Sequence, residues 1–90
     1  MNRFYKYKCN NYWITIREEN NEYYTVNPED IEVLKLSTIQ AAMLYAIYIE
    51  KRTISDIKEA FSKQGIKIEA VDHFLDMANS KNLIDMSTIH

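Results

Sequence analysis

The sequence predicts an α+β domain with a winged-helix-like arrangement, in which a three-stranded antiparallel sheet is followed by three helices. Two observations predict this order. Aromatic and β-branched residues typical of strands dominate before Ser37, whereas helical periodicity and capping patterns dominate after it. With 90 residues, the chain can build one hydrophobic core, so we expect a single domain over residues 1–90.

The three predicted strands are residues 12–17, 22–26 and 31–36. The first alternates, with Trp13 and Thr15 on one face and Ile14 and Ile16 on the other. A short polar turn before the second strand predicts a hairpin. A short helix is the alternative for the third segment, and residues 1–11 are either a flexible arm or an extra strand.

Two capping patterns predict where the first two helices begin. Ser37 and Gln40 have the spacing of a capping box, followed by a segment to about residue 52 that is apolar nearly all round. We therefore expect the first helix to be the central one. Thr53 and Asp56 repeat the capping pattern and begin the second helix.

The third helix is predicted over residues 68–80, after Gly65 ends the second helix in a left-handed conformation. Its apolar residues fall on one face, which predicts that it packs against the sheet. These residues are Ile68, Val71, Leu75 and Ala78, with Phe74 alongside. The pair Leu83-Ile84 is expected to return to the body of the domain.

Composition narrows the classes of function. The 11 basic and 13 acidic residues give a net charge of −2, so we do not expect nucleic acid as a partner. One cysteine, Cys9, excludes an internal disulfide and fits a reducing compartment. No segment approaches the roughly 20 apolar residues of a membrane span. We predict a cytoplasmic protein without a membrane partner.

The residues with catalytic or metal-binding chemistry are sparse. His73 shares a helix face with Glu69 and Asp76, but two carboxylates and one histidine are a poor zinc set. The single glycine leaves no Gly-rich phosphate loop, and no nucleophile has an evident base. We therefore predict no catalytic residues, no metal and no cofactor, and expect that the chain is not an enzyme.

Three segments carry a resemblance to a known family. They are residues 33–37 at the end of the third strand, residues 51–57 leading into the second helix, and residues 74–84 at the close of the third helix. In this order the chain resembles the PqqD-like family, the recognition elements of ribosomally synthesised precursor peptides, over about residues 12–86. One departure is Asn82, where the family commonly has glycine; asparagine tolerates the same left-handed conformation.

The resemblance implies a peptide-binding function in natural-product biosynthesis. The leader region of a precursor peptide would add as a strand beside the third strand and lie against the third helix. A separate peptide-modifying enzyme, such as a radical SAM maturase, would then act on the remainder. The resemblance implies a peptide-binding site formed by Ile31, Glu32, Val33, Leu34, Lys35, Leu36, Lys67, Val71, Phe74, Leu75 and Ala78.

Two other functions remain open at this point. A winged-helix transcriptional regulator would have the same helices, although Glu69, Asp72 and Asp76 would place three acids on its DNA-reading helix. A homodimer would assemble through the same sheet edge or through the apolar helix around residues 39–49. Affinity for a leader peptide distinguishes the first function from these two.

Overall fold

The structure is a computed structural model that describes residues 3–29 and 31–89. The described residues form a four-stranded antiparallel sheet in the order β1-β2-β3-β4, followed by three helices. The strands are Arg3–Cys9 (β1), Tyr12–Glu19 (β2), Glu22–Val26 (β3) and Val33–Leu36 (β4). The helices are Thr38–Tyr48 (α1), Ile54–Lys63 (α2) and Ile68–Ser80 (α3). The α+β class is confirmed, but the prediction of three strands was wrong.

The additional strand is β1, which falls in the segment predicted as an arm or extra strand. Two-residue turns join β1 to β2 and β2 to β3. The turn residues Asn10 and Asn11 have φ of 50° and 68°, and Asn20 and Asn21 have φ of 53° and 66°. Two consecutive left-handed residues match the twist of a hairpin, and asparagine accepts this conformation at small cost.

One face of the sheet is covered by the helices and the other is open. The alternation predicted for β2 is confirmed, because Ile14 and Ile16 are buried whereas Trp13 is 66% exposed. Tyr7 and Cys9 of β1 join the same buried face. The core therefore lies between the inner face of the sheet and the three helices.

Both predicted capping boxes are present. Ser37 accepts a hydrogen bond from the Gln40 amide, and the Gln40 side chain accepts one from Ser37; Thr53 and Asp56 do the same at α2. The predicted end of α1 near residue 52 was wrong, because the helix ends at Tyr48. The polar residues that follow leave the helix.

Helix α3 has the predicted bounds and packs its apolar stripe into the core, with one exception. Ile68, expected on the buried stripe, is 49% exposed and begins the helix. Leu83 and Ile84 are fully buried, as expected from their return to the body of the domain. The turn before them uses Asn82 at φ 61°, the conformation that glycine would otherwise supply.

None of the helices in the described part of the chain is long and apolar enough to cross a membrane.

Candidate functional site at the free edge of β4

Strand β4 is an edge of the sheet, paired on one side with β3. The amide of Asn27 donates to the carbonyl of Glu32 at 2.8 Å, at the mouth of the β3–β4 loop. Hydrogen-bonded and non-hydrogen-bonded pairs alternate in an antiparallel ladder. The next pair, Val26 with Val33, is therefore non-hydrogen-bonded, and the following pair, Thr25 with Leu34, is hydrogen-bonded.

This alternation decides which main-chain groups are available to a partner. Leu34 and Leu36 direct their amides and carbonyls toward β3, whereas Val33 and Lys35 direct theirs away from the sheet. Val33 is 65% exposed. The free edge of β4 thus presents two outward residues whose donors and acceptors an added strand can satisfy.

Ile31, at the entrance to β4, has an unusual backbone. Its φ is 59°, a left-handed conformation that crowds a β-branched side chain, and its side chain is 77% exposed. The loop holds it there, since its amide donates to the carbonyl of Asn27 at 2.8 Å. The loop therefore holds an apolar side chain in solvent beside the strand edge, in a backbone conformation that costs free energy.

Lys35 is held in an exposed network on the open face of the sheet. Its Nζ lies 3.0 Å from Glu22 Oε1, and the Tyr24 hydroxyl donates to the other carboxylate oxygen of Glu22. The Tyr24 hydrogen bond and then Lys35 lower the pKa of Glu22, while Glu22 raises the pKa of Lys35. An acidic peptide residue at Lys35 would therefore compete with Glu22 for the ammonium group.

The end of α3 lies beside the start of β4. Lys81 Nζ is 3.5 Å from Glu32 Oε1, which joins the helix to the residue before the strand. This ion pair is largely exposed, so it contributes little to stability, but it locates α3 next to the free edge. Nothing in the residue pattern predicts this contact.

The predicted site residues divide into two groups. Ile31, Glu32, Val33, Leu34 and Lys35 lie along the exposed or half-buried edge, and Lys67 is exposed before α3. The remaining predicted residues are buried and contact the core rather than a groove: Leu36, Val71, Phe74, Leu75 and Ala78. Their apolar character, which suggested a wall for the peptide, is explained by core packing. A wall on α3 would have to be formed by its more exposed residues.

A separate groove of about 710 Å³ lies between α1, α2 and the sheet. Phe4, Ile39, Tyr45 and Ala60 are among its lining residues, and none of the predicted peptide-binding residues reaches it. Its lining is mainly apolar, and it opens to solvent.

No group of three or more His, Cys, Asp or Glu among residues 3–29 and 31–89 could hold a metal ion. Cys9 is 4% exposed, and burial raises the pKa of its thiol, which disfavours a reactive thiolate. The β4 edge presents main-chain hydrogen-bonding groups at Val33 and Lys35 and the exposed apolar side chains of Ile31 and Val33.

Comparison of the chain with protein-family models, curated proteins and solved structures gave no match. The function proposed below therefore depends on the geometry of the β4 edge and on the resemblance drawn from the sequence.

Proposed function

We propose that the chain is a non-catalytic, cytoplasmic adaptor of the PqqD-like, winged-helix-like type. It binds the leader region of a ribosomally synthesised precursor peptide by strand addition and presents the remainder to a separate peptide-modifying enzyme, such as a radical SAM maturase. The observation that carries the proposal is the free edge of β4, where Val33 and Lys35 direct their main-chain groups outward.

The surroundings of the edge support the same function. Ile31 and Val33 are exposed apolar side chains that a bound strand would cover. The ion pair of Lys81 with Glu32 brings the end of α3 near the start of the same edge. Specificity would come from the peptide side chains facing these residues, since main-chain bonds alone are independent of sequence.

A leader-peptide titration with two Val33 variants tests the proposal. The probe is a fluorescent leader segment from a precursor peptide encoded beside the gene, and binding is followed by fluorescence anisotropy. Val33→Pro removes one outward amide and leaves every β3–β4 hydrogen bond, because this amide points away from β3. Val33→Ala is the matched control, which shortens the side chain and keeps the amide.

Micromolar or tighter binding is expected for the native chain. Val33→Pro should weaken it by about tenfold or more, because a main-chain hydrogen bond is lost and the edge is blocked by the ring. Val33→Ala should have a smaller effect. Equal binding by the native chain and a folded Val33→Pro variant would contradict strand addition at β4.

A further inference from the structure

The opposite edge of the sheet is also free. Within residues 3–29 and 31–89, strand β1 pairs with β2 alone. Cys9 pairs with Tyr12 around a two-residue turn, so this pair is hydrogen-bonded. By alternation, Tyr5 and Tyr7 direct their main-chain groups toward β2. Those of Phe4, Lys6 and Lys8 point away from the sheet, and no other backbone hydrogen bond to them is found among the described residues.

Two of these three outward residues, Lys6 and Lys8, give the edge a positive charge. Lys6 and Lys8 are exposed on the open face of the sheet and form no ion pair with a carboxylate of the described residues. Arg17 and Lys35 on the same face are already paired, each with a glutamate at 3.0 Å. The unpaired positive charge of this face is therefore concentrated along β1, in a chain of net charge −2.

Two exposed aromatic residues extend the surface from the edge onto the face of the sheet. Phe4 is 69% exposed, and Trp13, the cross-strand neighbour of Lys8, is 66% exposed. Large exposed aromatic side chains are enriched at interaction surfaces.

We infer that β1 is a second strand-addition edge, which binds an extended acidic segment of a partner protein. The two lysines are two residues apart, so they match acidic residues at alternate positions of an added strand. An added strand would satisfy the outward amides and also the outward carbonyls of the edge, whereas a DNA backbone has no donor for the carbonyls. This inference goes beyond the β4 site and does not depend on it.

A second copy of the chain fits this edge less well. Twofold antiparallel pairing centred on Lys6 sets this residue against its own copy, and pairing centred on Tyr7 sets Lys6 against Lys8 of the other copy. Like charges directly opposite each other destabilise a sheet, and lysines on edges are a known protection against self-association. An acidic strand turns the same lysines into favourable partners.

The test uses the full chain and a fluorescein-labelled peptide in which glutamate alternates with threonine. The peptide has about eight residues, within the ordinary length of a strand. Saturable binding is expected. Lys6→Pro, which removes an outward amide without a β1–β2 bond, should weaken it about tenfold or more. Lys6→Glu with Lys8→Glu should abolish it. Lys51→Glu, a charge reversal at an exposed lysine between α1 and α2, is the matched control and should retain it.

Amide hydrogen exchange gives a readout that charge alone would not produce. Bound peptide should slow exchange at Phe4, Lys6 and Lys8 and leave Tyr5 and Tyr7 nearly unchanged, since these already bond to β2. No binding, undiminished binding to a folded Lys6→Pro variant, equal binding of a single-stranded oligothymidine, or a dimer formed through β1 would each overturn the inference. Val33→Pro should leave acidic-peptide binding intact, so failure at β4 and failure at β1 are distinguishable.

Discussion

The Tyr7 hydroxyl donates a hydrogen bond of 2.8 Å to the carbonyl oxygen of Leu83, which lies 76 residues further along the chain. The Tyr7 ring also stacks on Tyr48, with ring centroids 4.1 Å apart. The first strand is thereby joined to the last buried turn through a side chain that is itself 4% exposed. Strand β1 is therefore an integral part of the fold and not an appendage.

Tyr7→Phe should destabilise the domain by about 1–3 kcal/mol, because the Leu83 carbonyl would be left buried without its donor. The ring and its stacking on Tyr48 are kept, so the change measures the hydrogen bond. Urea unfolding followed by circular dichroism gives the free energy of unfolding. Tyr45→Phe, at an exposed tyrosine, is the control and should change it by less than about 0.5 kcal/mol. Equal stability of Tyr7→Phe and the native chain would refute the structural role of the bond.

Alkaline pH should unfold the domain. Burial, then neighbouring tyrosines, raises the pKa of Tyr5 to about 12, and burial also raises the pKa of Tyr7 and Tyr48. Because these folded pKa values lie above the unfolded value, the stabilisation is complete below about pH 10 and is lost as pH rises through 12.

Unfolding free energies measured across this alkaline range should fall, with tyrosinate absorbance rising in the same transition. Tyr5→Phe should reduce the slope of this loss with pH, whatever its effect at neutral pH. A slope identical to that of the native chain would mean that Tyr5 titrates normally when folded.

Ile31→Asn should stabilise the chain while it weakens leader binding. Asparagine accepts φ of 59° more readily than a β-branched residue, which relieves strain of about 1 kcal/mol. The exposed apolar side chain would be lost from the edge at the same time. Thermal unfolding and leader titration measure the two effects, and Val33→Ala, in ordinary strand geometry, should give no gain in stability. A less stable Ile31→Asn variant would show that the loop is not strained at this position.

Ser37→Ala should cost about 0.5–2 kcal/mol, because the Gln40 amide loses the hydroxyl that caps α1 at 3.1 Å. Ser55→Ala, within the first turn of α2 and exposed, is the matched control and should be near neutral. Both variants are compared by chemical denaturation. Similar losses for the two would assign the effect to general surface substitution rather than to capping.

Local signals predicted the helices and two strands well. Caps at Ser37 and Thr53 and the alternation of β2 depend on a few adjacent residues, so they can be found in one sequence. Strand β1 was harder, because its turn uses Asn10 and Asn11 rather than the stronger Asn-Gly signal.

The candidate site was predictable as a strand segment but not as a surface. An apolar residue on α3 looks the same in sequence whether it faces the core or a ligand, and Val71 and Phe74 face the core. The left-handed Ile31 and the contact of Lys81 with Glu32 depend on loop geometry and on residues far apart in the chain. Such features follow from the tertiary fold rather than from local pattern.

The thiol of Cys9 can report the opening of β1. It is the single sulfhydryl of the chain, it is 4% exposed, and it ends the strand proposed to bind an acidic segment. A thiol reagent should therefore react slowly with the folded chain and faster when β1 opens, so the rate of modification reports that opening. A strand bound along the edge of β1 would slow the modification of Cys9 without covering the sulfur directly. The slower reaction alone would therefore detect an unlabelled partner.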